Sequence, residues 1–171
     1  MKKILFVITS FRHGGTNKSL ENLLSLMDTK QYQVDVFAME HFGPYKDMLP
    51  NCTILPEDKW LSALIANFSD TKGIFRMRSS IIKLLRDIGA KLNLNFTNKL
   101  YNKTANKLLK TKNYDAVIAY SEGVPTSFVS NLSHSNKIAW IHCDYSSYMT
   151  LNNHPDEREI YASYKSIVCV S

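Results

Sequence analysis

The chain has 171 residues, 21 Lys/Arg against 15 Asp/Glu, and a net charge of +6. That length suits one α/β domain with its own core and is too short for two of ordinary size, and the apolar and charged fractions are those of a soluble globular protein. No run approaches a membrane span, the five apolar residues after Lys2-Lys3 have no small-residue cleavage site behind them, and Cys52, Cys143 and Cys169 are too few and too scattered for a disulfide framework or a zinc cage.

In chain order, Ile4 to Ile8 is apolar at every position, which suits a parallel strand covered on both faces. Gly14-Gly15 then make a turn, and Leu20, Leu23, Leu24 and Met27 show the spacing of a helix. Free N–H groups at the start of that helix favour negative charge, so a diphosphate is expected at Gly14 and Gly15. The loop has neither the Walker A spacing nor G-x-G-x-x-G. Val34 to Met39 reads as the second strand, closed by Glu40, and Thr53 to Leu55 as a short third one between Pro50 and Pro56. Cys52 and Cys169 fall in apparent strands and are expected to be core thiols.

A helical region runs with breaks from Trp60 to about Lys112. Ile74, Met77, Ile81, Leu84, Leu85 and Ile88 recur at helical spacing, and Thr97 to Lys110 places Leu100, Tyr101, Ala105, Leu108 and Leu109 toward a core with Lys99, Lys103, Lys107 and Lys110 in one stripe. From Lys72 to Lys112 there are eleven Lys/Arg and one acid, Asp87, a local +10 that leaves −4 for the remainder. These helices could lie against an anionic membrane, each basic residue near it contributing about 1 kcal/mol, or simply form a solvated face. Nucleic acid is not expected, since interleaved aromatics and reading motifs are absent from the segment.

Tyr114 to Ala119 is the next strand, leading to Tyr120-Ser121-Glu122-Gly123, and Val124 to Leu132 a helix with Pro125 in its first turn. Lys137 to Ile141 is a strand leading into His142-Cys143-Asp144. Ser146 to Asn153 reads as a loop, Asp156 to Lys165 as a short helix opened by Pro155, and Ile167 to Val170 as the last strand. About six strands alternating with helices give the expected fold class: an α/β, Rossmann-like, doubly wound parallel sheet with helices on both faces, spanning 1–171.

Ligands of such sheets collect at the carboxyl ends of strands, which makes Gly14, Gly15, Glu40, Ser121, Glu122, Gly123, His142 and Asp144 the informative positions. A histidine at that rim can bond a sugar or phosphate oxygen, or exchange a proton near neutral pH. Ala119-Tyr120-Ser121-Glu122-Gly123 approaches the G-x-S-x-G nucleophile elbow, but alanine replaces the first glycine, and His142 precedes its nearest following acid, so acyl hydrolysis is not expected. No metal is expected either: the five histidines show neither H-E-x-x-H nor paired-cysteine spacing.

Lys2 to Ile8, His13-Gly14-Gly15-Thr16-Asn17-Lys18-Ser19-Leu20, Asn22-Leu23-Leu24, Tyr114 to Ala119, Ile138 to His142 and Ser166 to Ser171 together resemble the amino-terminal domain of glycosyltransferase family 4 enzymes. The resemblance implies one acceptor-binding domain of a GT-B pair, acting with retention on a nucleotide-sugar donor. It further implies that Gly14, Gly15 and Lys18 face the donor diphosphate, Lys18 falling where many members carry arginine, and that His142 sits beside the transferred sugar. Glu40, Ser121, Glu122, Gly123 and Asp144 are expected to line the cleft. The expected partners are a nucleotide sugar, a glycan or lipid-linked acceptor in surface polysaccharide or glycolipid synthesis, and a carboxyl-terminal domain without which these residues are not expected to transfer sugar. No cofactor beyond the donor is expected, and the expected location is cytoplasmic, peripheral at the inner face of the membrane. The competing expectation is a non-enzymatic Rossmann-like module that binds a phosphorylated ligand or a membrane surface.

Overall fold

The apolar run at Ile4 to Ile8 forms the middle of strand β1 (Lys2–Ser10), which lies near the centre of a six-stranded sheet. The structure, a computed structural model, describes residues 1–152 and 157–170. After β1 come α1 (Gly15–Leu26), β2 (Tyr32–Glu40), β3 (Cys52–Ile54), α2 (Lys59–Ile65), α3 (Gly73–Lys91), α4 (Phe96–Thr111) and β4 (Ala116–Ala119). Then follow α5 (Val124–Ser130), β5 (Lys137–Ile141), α6 (Tyr145–Asn152), α7 (Arg158–Ala162) and β6 (Ser166–Cys169).

Every strand pair is parallel and the order is β3-β2-β1-β4-β5-β6. The chain thus winds outward from β1 in one direction, returns, and winds outward from β4 in the other. This is the Rossmann-like doubly wound arrangement, and it leaves a crevice where the order reverses, between the carboxyl ends of β1 and β4.

Alternation along the strands divides the interior in two. Leu5, Val7, Phe37 and Met39 face a core closed by α2, α4 and α5, whereas Phe6, Ile8, Val36 and Ala38 face Leu20 and Leu24 of α1. Asp58 ties the first of these layers together: Oδ1 accepts from the Trp60 and Leu61 amides to cap α2, and Oδ2 accepts from the Thr104 hydroxyl on α4.

Three expectations are corrected. Ser146 to Asn152 is helix rather than loop, because Asp144 Oδ1 accepts from the Ser147 amide and caps α6; Asn153 lies outside the described residues. The last helix is confined to Arg158–Ala162 within the described chain, and the expected Pro155 and Asp156 start lies outside it. Cys169 is exposed, since β6 pairs with β5 alone and its residues are poorly covered, whereas Cys52 does pack in the core beneath α1. Helix α3, whose spacing left the direction of its apolar stripe open, turns that stripe to the surface. Its inward side carries Ser79, Ile82 and Gly89, and the stripe Ile74, Met77, Ile81, Leu84, Leu85, Ile88 points outward, 44 to 73 % exposed.

Candidate functional site

The turn from β1 to α1 has no side-chain cap and no acid in the first helical turn, so the donors at the start of α1 are left to a ligand or solvent. A Cβ built on Gly14 or Gly15 meets nothing within 4 Å. The backbone therefore borders open space, and Gly14 itself is extended at φ 166°. A cavity of about 320 Å³ occupies that space, lined on one side by Ser10, Arg12, His13, Gly14 and Thr16 and on the other by Ser121, Glu122 and Tyr148. It is the crevice between β1 and β4 that the strand order creates.

Two residues overlooked in the sequence hold this turn. The buried Asn17 donates through Nδ2 to the carbonyls of Ser10 at 2.9 Å and Arg12 at 2.6 Å, clamping the loop against the helix. Its position was readable, because Asn17, Leu20 and Leu24 share one inward-facing spacing. Arg12 offered no such signal. Its Nη2 donates to Asp70 at 2.6 Å and to both Glu40 oxygens at 3.3 Å, and its guanidinium lies 4.3 Å from the Phe42 ring centroid.

Glu40 is buried at the end of β2. It lines a separate cavity of about 260 Å³ with His41, Glu57, Ser62, Asp70 and Phe75, and Arg12 joins the two spaces. Burial pushes the Glu40 carboxyl above its ordinary range, with Arg12 pulling the other way, while the hydrogen bond from Arg12 holds Asp70 low.

The remaining expected residues are placed as follows. Lys18 Nζ turns along its own helix to Glu21 at 2.9 Å and does not line the cavity. Ser121 and Glu122 do line it. Gly123 has φ +79°, which strains any other residue, and a Cβ there would come within 2.8 Å of the Tyr148 hydroxyl and oblige that side chain to shift. Asp144 caps α6 and thereby places Tyr148 at the cavity.

His142 lies one strand beyond. Its backbone amide donates to Glu122 Oε2 at 3.1 Å, and its ring stacks on Trp140 and packs against Tyr120, with centroids 5.8 Å and 4.7 Å away. Tyr120 is in turn held by the Ser19 hydroxyl at 3.0 Å. The buried Nε2 has no hydrogen-bond partner among the described residues. Burial lowers the imidazole pKa, opposed by Glu122, and so favours a neutral ring at pH 7. Next to it, burial first and then Glu122 push the Cys143 thiol up to about 11, which disfavours a thiolate nucleophile.

His41 is likewise lowered by burial, against Glu57. For both histidines the unfolded chain, at the ordinary value of 6.5, takes up protons first. Their stabilisation is complete above that pH and is lost as pH falls through the lowered folded values. Urea denaturation at a series of pH values should show stability declining below about pH 6.5, and His41→Gln with His142→Gln should flatten the decline. Glu40, shifted upward, contributes the opposite slope, a loss of stability as pH rises through its folded value.

Among the described residues, no group of three or more His, Cys, Asp and Glu is arranged to hold a metal ion, and no helix is long and apolar enough to cross a membrane. No protein-family model matches the chain, and neither does any curated protein.

Proposed function

We propose that the crevice between β1 and β4 binds the diphosphate of a nucleotide sugar, and that the protein is the acceptor-binding half of a retaining glycosyltransferase. The observation that carries this reading is the uncapped start of α1, where Gly14 lines an open cavity at the reversal of strand order and Gly15 beside it also borders open space. As a nucleotide diphosphate leaves, negative charge builds on its oxygens, and fixed amide donors aligned with a helix dipole stabilise it there. Glu122 and Ser121 face those donors across the cavity and suit the hydroxyls of a sugar. His142 is fastened to Glu122 through its amide and keeps one ring nitrogen unspent among the described residues.

The acceptor in this reading is a glycan or a lipid-linked sugar, seated toward Glu40, and the nucleotide is held chiefly by a second domain. The chemistry is that of an oxocarbenium-like centre, with an acceptor hydroxyl in the place water takes in hydrolysis.

Calorimetric titration of the chain with nucleoside diphosphates tests the first step. Gly15→Val fills only open space, so it should leave folding unchanged and weaken diphosphate binding about tenfold or more. Equal affinity for the variant, or none for the parent chain, would remove the diphosphate from this turn.

A further inference from the structure

Helix α3 is amphipathic in the reverse of the usual sense. Ordinary surface helices turn the apolar stripe inward and the polar face to water. Here the inward side carries one large apolar residue, Ile82, between the small Ser79 and Gly89, and a Cβ on Gly89 would lie 3.0 Å from that of Phe96, so α3 packs closely against the start of α4 there. The stripe from Ile74 to Ile88 faces out over its whole length, and Leu92 and Leu94 prolong it past the helix end. Fourteen residues of rise make this a ridge about 21 Å long, an exposed patch of a kind that soluble monomers rarely leave bare.

The surroundings say what covers it. Arg78 flanks the stripe with its guanidinium 5.4 Å from the Trp60 ring centroid, and Trp60 is itself 46 % exposed. Lys72 and Lys91 stand exposed at the two ends, and Lys99, Lys103, Lys107 and Lys110 are exposed on α4. The one acid of the segment, Asp87, is already engaged by Arg86 at 2.8 Å. Apolar side chains flanked by arginine, lysine and tryptophan match the boundary between lipid headgroups and acyl chains. A second copy fits poorly, since a twofold contact through this face would set one +10 segment against another.

We propose that α3 seats flat on an anionic lipid bilayer, with the Ile74–Ile88 ridge entering the acyl boundary and Trp60, Arg78 and Lys91 at headgroup level. The inference is independent of sugar transfer, because vesicle binding is read without donor or acceptor.

Flotation with vesicles of phosphatidylcholine, alone or mixed with phosphatidylglycerol, is the test. The protein should float with the anionic mixture, bind neutral vesicles about tenfold or more weakly, and be released by high salt. Ile81→Asp combined with Leu84→Asp alters only solvent-facing positions, so circular dichroism should be unchanged while binding falls about tenfold or more. Failure to float with anionic vesicles would overturn the proposal, as would wild-type flotation by the double variant. A dimer in sedimentation that the double variant dissolves, without vesicle binding, would assign the ridge to self-association instead.

Discussion

If the proposed transferase reading holds, replacing His142 by alanine should lower sugar transfer about a hundredfold or more in the chain joined to its proposed second domain, with folding intact. The expectation rests on how the ring is held. Trp140 and Tyr120 fix its plane, Glu122 fixes its backbone, and a buried nitrogen has no partner among the described residues. A group so restrained loses little freedom when it meets a substrate oxygen. His142→Phe keeps the aromatic stacking and removes the nitrogens, so it should fall as far as alanine. Recovery of turnover in the phenylalanine variant would reduce His142 to a packing residue, and unchanged turnover in alanine would remove it from the reaction. Because burial lowers its pKa, activity that needs the neutral ring should hold from pH 7 upward and decline only as pH falls through that lowered value.

The second large effect is on stability, at Asp35. This carboxylate sits in the middle of β2 at 2 % exposure, where Oδ2 accepts from Lys112 Nζ and from the Tyr114 hydroxyl, both at 2.7 Å. Burial, reinforced by that bond, raises the Tyr114 pKa. Lys112→Met takes the cation away and leaves a buried carboxylate whose other oxygen already has no partner among the described residues. Losing one partner of a buried pair costs about 3–5 kcal/mol. The Lys112 side chain is 34 % exposed, however, so water relieves part of the penalty, and about 2–3 kcal/mol is expected by urea denaturation. The double variant Asp35→Leu/Lys112→Met should recover most of the loss, since an apolar pair of similar volume removes the stranded charge. A single variant as stable as the parent would show that Lys112 does not hold Asp35.

The sheet was readable because its strands are short apolar runs punctuated by glycine and proline, a signal local to a few residues. The turn at Gly14 and Gly15 was readable for the same reason. Arg12 was not: it meets Glu40 and Asp70 across 28 and 58 residues of sequence, and only folding brings them together. The α3 stripe shows a different gap between pattern and structure. Its period was evident, but a period gives no direction; the side that turned inward carries Ser79, Ile82 and Gly89, and Gly89 allows close approach to Phe96 at the start of α4. At Ser146 to Asn152, polar composition hid a helix whose start signal, the capping Asp144, stood two residues ahead.

The two margins of the sheet are unequal. β3 offers three residues bracketed by Pro50 and Pro56, too brief a ladder to recruit a further chain. β6 has four residues, an exposed apolar group at Ile167 with exposed Val170 just past its end, and, among the described residues, a neighbour on one side only. Among the described residues, main-chain recruitment is thus open at the β6 rim. Two molecules that joined through this rim would be related by a dyad, each closing the other's open edge.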